Sequence, residues 1–167
     1  LMKKILPLLV VLLITFSQCK KKTSTNNPEP TDPVTLKDTV LLQGLNFPWE
    51  IVWGPDDFIW MTERGGKITR INPSTGAVSP VHTITEVATN GEGGLLGMVL
   101  HPNFTTSPHV FVAYNYNNGG NYREKIVRYI FNPATGKADS PLVLLNTISG
   151  ANNHNGCRLI ISPDKKL

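Results

Sequence analysis

Cysteine is scarce in this sequence, whose 167 residues contain two, Cys19 and Cys157. Two cysteines cannot build the disulfide framework of a small secreted scaffold or the cysteine-rich ligand set of a structural zinc site. The four histidines also lack a spacing that would bring three or four metal ligands together. The sequence therefore predicts no metal site, and a hydrophobic core must hold the fold, for which a hydrophobic content of 40% is sufficient.

A surplus of basic charge is missing from most of the chain. The formal net charge is +4, but five of the 16 basic residues lie in the first 22 positions, whereas residues 34–167 hold 11 Lys and Arg against 10 Asp and Glu. A nucleic-acid-binding face needs basic residues clustered on the folded part of a protein. We therefore expect no nucleic-acid partner.

The sequence has no apolar run long enough for a transmembrane helix, which needs about 20 apolar residues. Its longest run is the twelve residues Ile5–Phe16, which contain Pro7 and Thr15 and follow Lys3 and Lys4. A charged start followed by a short apolar run is typical of an export signal peptide.

Cys19 directly follows Phe16-Ser17-Gln18, which resembles a relaxed bacterial lipobox. We therefore expect residues 1–19 to be a signal peptide whose Cys19 becomes lipid-modified, with an ordinary cleaved signal or an uncleaved anchor as alternatives. Residues 20–33 are polar and proline-rich, which predicts a flexible tether. The protein would be exported to the periplasm or cell surface and held at a membrane by its lipid, with residues 34–167 as the folded part.

Sustained helical periodicity is also absent, while 14 glycines and 13 prolines mark frequent turns. Short apolar or alternating runs recur in one order: a strand, a turn with proline, two further strands and an Asn-Pro-x-Thr-Gly turn. The first copy has strands at 51–53, 58–63 and 67–71, the second at 95–100, 109–116 and 125–131, and a third copy starts at 158–161.

The proline turns at Pro55, Pro102 and Pro163 are 47 and 61 residues apart. A four-stranded propeller blade takes about 40–50 residues, so the longer spacing indicates an insertion, which we place at Asn115–Glu124. The repeat predicts an all-β fold made of about two to three propeller blades, with a β-sandwich as the alternative. Since the third copy stops soon after it begins, we expect the sequence to be cut short at its C-terminus and its apolar blade faces to be exposed.

Three segments do not read as strands or simple turns, and the first of them is residues 44–50. In Asn90-Gly91-Glu92-Gly93-Gly94, glycines surround one carboxylate and would permit the close approach of a flat ligand or of another backbone. A phosphate-binding loop is disfavoured because no Gly-Lys-Ser/Thr follows, and a tight connection between blades with a solvated Glu92 is the alternative. In the third segment His154 lies among small amides, as a candidate general base or as a hydrogen-bonded loop histidine.

Taken in order, LNFPWEIVWGPDDFIWMTERGGKITRINPSTG, GEGGLLGMVLHPNF and HNGCRLIISPD resemble the glucose/sorbosone dehydrogenases, the soluble aldose dehydrogenases that depend on pyrroloquinoline quinone (PQQ). The resemblance runs from about Leu41 to the end. It implies a partial six-bladed β-propeller and oxidation of an aldose to its lactone, with electrons passed to a soluble or membrane-bound acceptor. It also implies a calcium ion, whose ligands we expect beyond the C-terminus of this sequence.

The resemblance also implies roles for individual residues. His154 would be the general base, with Glu92 and Asn153 binding the substrate, and Asn153 stands where an aspartate is found in the family's glucose enzyme. Cys157 stands where glycine is common, and Arg158 matches an arginine that we interpret as structural. The same propeller could instead be a non-catalytic module that binds sugar or protein, because a fold does not fix a function.

The leader gives the first testable prediction. Replacing Cys19 by serine removes the thiol that would carry the lipid, so C19S should move from the membrane fraction to the soluble fraction on cell fractionation. A variant that stays membrane-bound would show that Cys19 is not the anchor.

Overall fold

The computed structural model describes residues 35–167, of which Thr39–Leu167 form one compact unit. The predicted signal peptide, Cys19 and the tether lie outside the described residues. The regular structure of the described part consists of strands, in the order β1 (Pro48–Trp53), β2 (Ile59–Glu63), β3 (Lys67–Ile71), β4 (Val78–Thr83), β5 (Leu95–Leu100), β6 (His109–Asn118), β7 (Asn121–Asn132) and β8 (Lys137–Ser149). Within residues 35–167 we find no helix of the length and apolarity needed to cross a membrane.

The eight strands form two four-stranded antiparallel sheets, ordered β1-β2-β3-β4 and β5-β6-β7-β8. Each sheet is a meander in which sequential strands are neighbours, as in the blades of a propeller. The all-β prediction is confirmed, and the six strands expected in the first two copies of the repeat are present. β4 and β8 had not been predicted, and residues 158–161 do not form a strand.

The predicted insertion at Asn115–Glu124 is not a separate rim loop. These residues lengthen the β6–β7 hairpin, whose ladder continues from Asn115 opposite Glu124 to Asn118 opposite Asn121. Gly119 and Gly120 have φ values of 61° and 89°, as a tight two-residue hairpin turn requires at its centre. The extra length between the second and third turns is therefore partly strand.

A single hydrophobic core joins the two sheets. It takes alternate residues from β6 and β7, such as Val110, Val112, Val127 and Tyr129, because successive side chains of a strand point to opposite faces. Trp60 of β2 is fully buried in this core. The other core residues are Ile68, Val81, Ile84, Leu95, Met98, Leu100, Phe104, Tyr114, Phe131 and Ala138.

Because the strands are antiparallel, successive connections alternate between the two ends of the blades. One end, here called the upper end, carries the β2–β3 turn, the β4–β5 loop and the segment after β8, while the turns after β1, β3, β5 and β7 lie at the lower end. At the upper end the Leu95 N–H donates to the carbonyl of Arg64 (2.9 Å). Gly94 has a φ of 153°, and a Cβ there would lie 2.5 Å from the Arg64 oxygen, so this close approach requires glycine.

The core contacts of Trp60 give the second prediction. Its ring meets Phe104 and Phe131 edge to face, with centroids 5.4 and 5.0 Å away, and its Nε1 donates to Asp56 Oδ1 (2.9 Å). W60F keeps an aromatic ring but loses the hydrogen bond, so we expect a cost of about 1–2 kcal/mol in the free energy of unfolding. W60A should cost about 3–5 kcal/mol because it also opens a cavity. Urea denaturation measures both, and equal costs would contradict this account of the core.

Candidate functional site

Glu92 and His154 are brought together at the upper end of the blades. Glu92 lies in the β4–β5 loop and His154 in the segment after β8, and both are exposed. The Glu92 Oε2 accepts a hydrogen bond from the backbone N–H of His154, with 2.5 Å between the two atoms. The two residues that the sequence singled out separately, 62 positions apart, are therefore in direct contact.

Asn152 is the second point at which these two segments meet. Its carbonyl accepts from the Glu92 N–H (3.2 Å), and its Oδ1 accepts from Asn90 Nδ2 (2.5 Å). A Cβ on Gly91, whose φ is 54°, would lie 1.6 Å from the Asn152 carbonyl oxygen, so a side chain at position 91 would force the segments apart. The glycine-rich loop thus serves the close approach of another backbone.

Asn155 anchors the His154 segment from below and was not predicted as a site residue. It is buried, its Oδ1 accepts from the Ala151 N–H (3.1 Å), and its Nδ2 donates to the Ala151 carbonyl (2.6 Å). Asn115 Nδ2 also donates to the Asn155 Oδ1 (3.3 Å), while Asn115 Oδ1 accepts from the Gly94 N–H (3.2 Å). This pair of buried amides links the segment to β6 and to the start of β5.

Asn153 is exposed beside His154, where a substrate hydroxyl could reach it. Its role in substrate binding stays a prediction. The other three histidines are not part of this site. His101 and His109 lie at the lower end with ring centroids 5.7 Å apart, and burial lowers the pKa of His109. His82 packs against Tyr129 between the blades, where burial lowers its pKa despite its contacts with Ala138 and Asp139.

Behind His154 lies a group of acidic residues and one thiol. Arg158 Nη1 donates to Glu50 Oε1, and the side chain of Glu50 is buried while that of Arg158 is exposed. This ion pair ties the segment to β1 and agrees with a structural role for Arg158. Cys157 lies beside the buried Glu124 of β7, and burial raises the pKa of that carboxyl.

The comparisons with known proteins agree with this architecture. The family model described as Glucose / Sorbosone dehydrogenase matches residues 45–167. The chain belongs to this family. Among its relatives, quinoprotein glucose dehydrogenase B of Acinetobacter calcoaceticus is 36% identical over 137 residues, which cover 77% of this chain and 29% of the relative. Aldose sugar dehydrogenase YliI of Escherichia coli is 32% identical over 84 residues, which cover 50% of this chain and 23% of YliI.

A solved structure carries the same fold. The PQQ-bound form of aldose sugar dehydrogenase from Streptomyces coelicolor matches with a TM-score of 0.66 and 27% identity, over 75% of this chain and 38% of that one. The two sheets are therefore blades of the propeller typical of glucose/sorbosone dehydrogenases, which confirms the predicted fold. The chain spans less than two-fifths of the length of each of these three proteins.

The described residues of this family member supply only part of what PQQ and calcium would need. The upper end offers the exposed His154 and the carboxylate of Glu92, which belongs to the glycine-rich loop. Among the arginines at this end, Arg64 donates to the Thr89 carbonyl (3.1 Å) and Arg158 to Glu50. Residues 35–167 contain no group of three His, Cys, Asp or Glu side chains that could hold a metal ion.

Cys157 gives the third prediction. Burial, together with the neighbouring Glu124 carboxylate, raises the pKa of its thiol to about 11. Because the thiolate is the reacting species, alkylation by iodoacetamide at pH 8 should be about a hundredfold slower than for an exposed cysteine. Peptide-resolved mass spectrometry of C19S measures the rate at this residue.

Matched variants identify the cause of this slow reaction. E124Q removes the carboxylate charge, which should lower the pKa of the Cys157 thiol. Alkylation of Cys157 should therefore be about threefold faster or more. D139N makes the same chemical change on the exposed β8 and should leave the rate unaltered. Fast labelling of the folded parent protein at pH 8 would contradict the raised pKa.

Proposed function

We propose that this chain is part of a PQQ-dependent dehydrogenase that oxidises an aldose sugar to its lactone, with His154 as the general base. The observation that carries the proposal is the exposed His154, whose backbone N–H donates to Glu92 at the upper end of the propeller blades. Family membership supports the reaction class, since the relatives are named as glucose and aldose sugar dehydrogenases.

The chemistry divides between the cofactor and the protein. When bound, PQQ supplies the two-electron acceptor for the hydride that leaves the anomeric carbon. His154 takes the proton of the anomeric hydroxyl, so that the carbonyl of the lactone forms as the C–H bond breaks. Imidazole suits this task because it exchanges a proton near neutral pH.

Glu92 and Asn153 are the proposed substrate-binding residues. The Glu92 carboxylate uses one oxygen for the His154 N–H, which leaves Oε1 as an acceptor for a sugar hydroxyl. Asn153 contributes both a donor and an acceptor, but no charge. An aspartate is found at this position in the glucose enzyme of the family, and Asn153 keeps the hydrogen-bonding capacity of that residue without its charge.

The proposed location of the reaction is outside the cytoplasm. The predicted signal peptide and a lipid on Cys19 would hold the propeller at a membrane surface, where a soluble or membrane-bound acceptor takes up the electrons. The carboxylates of PQQ and the calcium ion would be bound by parts of the propeller other than residues 35–167.

Substitution of His154 gives the fourth prediction. In the full-length protein reconstituted with PQQ and Ca²⁺, H154Q should lower kcat for aldose-dependent dye reduction by about 10²–10⁴-fold because the proton acceptor is lost. H109Q is the matched control at the lower end and should stay within about twofold of the parent protein. Full activity of H154Q would reject the assigned base, and failure of the full-length parent to bind PQQ would favour a non-catalytic binding module.

A further inference from the structure

We propose that Glu92 is a positioning residue for His154, in addition to any contact it makes with substrate. Its carboxylate fixes the backbone of the base through the hydrogen bond to the His154 N–H, and so sets where the imidazole stands above the blades. The inference rests on the proposed role of His154 in sugar oxidation.

The backbone of His154 needs such support. Its φ is 59°, in the left-handed region that residues other than glycine occupy at a cost in energy. Such a conformation persists only where surrounding contacts hold it. The neighbouring Asn155 is fixed from below by Ala151 and Asn115, but these bonds do not include the His154 N–H. Glu92 provides its partner.

The Glu92 bond is well suited to this task. A carboxylate that accepts a backbone N–H forms a charge-assisted hydrogen bond, which is shorter and stronger than a neutral one.

Glu92 is itself held in place by its own loop and by Asn152 of the His154 segment. Its N–H donates to the Asn152 carbonyl (3.2 Å), and the Gly93 N–H donates to the Asn90 carbonyl (2.9 Å). The carboxylate therefore acts from a fixed loop, and the contact between Gly91 and Asn152 keeps that loop against the His154 segment.

The role can be separated from substrate binding by two variants in the full-length holoenzyme. E92Q keeps a side-chain oxygen that can accept the His154 N–H, whereas E92M has a similar length and no oxygen acceptor. Since Glu92 is exposed, neither change opens a cavity in the core. D57N is the control, because it neutralises an exposed carboxylate at the lower end, on a residue whose φ of 59° asparagine also adopts.

The first measurement is hydrogen–deuterium exchange of the peptide containing residues 152–156, in the absence of sugar. E92M should increase exchange in this peptide about tenfold because the His154 N–H loses its charged acceptor. E92Q and D57N should remain close to the parent protein. Unchanged exchange in E92M would overturn the inference whatever reaction the protein catalyses.

The second measurement is steady-state kinetics with an aldose and a dye. E92M should lower kcat about tenfold or more with little change in KM, since a displaced base slows the chemical step, and E92Q should restore kcat to within about threefold. A higher KM at unchanged kcat in E92M would overturn positioning in favour of substrate binding alone. Full activity of H154Q, by contrast, would overturn the proposed function itself, and the positioning role would fall with it.

Discussion

The joint between the end of β2 and the start of β5 determines where the residues of the candidate site lie. Here the Arg64 carbonyl accepts from Leu95, the Thr62 hydroxyl donates to the Leu96 carbonyl (2.8 Å), and Gly94 allows the two backbones to approach. These bonds fix one blade against the other at the upper end. The β4–β5 loop, which carries Glu92, must therefore leave the joint toward the segment that carries His154.

The sequence predicted the first three strands of each blade better than the last one. β5, β6 and β7 bury apolar side chains at regular intervals, which makes them visible as apolar or alternating runs. β4 and β8 are mostly exposed and contain Pro80 and Pro141, features that argue against a strand in a sequence. They form because they pair with β3 and β7, and their exposure leaves no regular apolar pattern in the sequence.

The sequence was enough to predict which residues belong to the candidate site, but not which of them are in contact. Glycines around Glu92 and amides around His154 drew attention to both segments, and the family resemblance gave them roles. The bond between them depends on the packing of two blades, since 62 residues separate them. Asn115 and Asn155 were missed for a related reason: an asparagine in a polar segment looks like a turn residue until its burial is known.

The exposed apolar surfaces of β1 and β8 explain why the candidate site is incomplete. On β1, Trp49, Ile51 and Trp53 are 41–62% exposed on the face opposite the core, and Leu142–Leu145 of β8 are 43–46% exposed. In a closed propeller each blade buries both faces against its neighbours, so these apolar flanks are surfaces of the kind that further blades cover. Under the proposed function, these two blades would form one arc of such a ring. They would carry the proposed base and its positioning carboxylate, and the groups that bind the quinone would come from other blades.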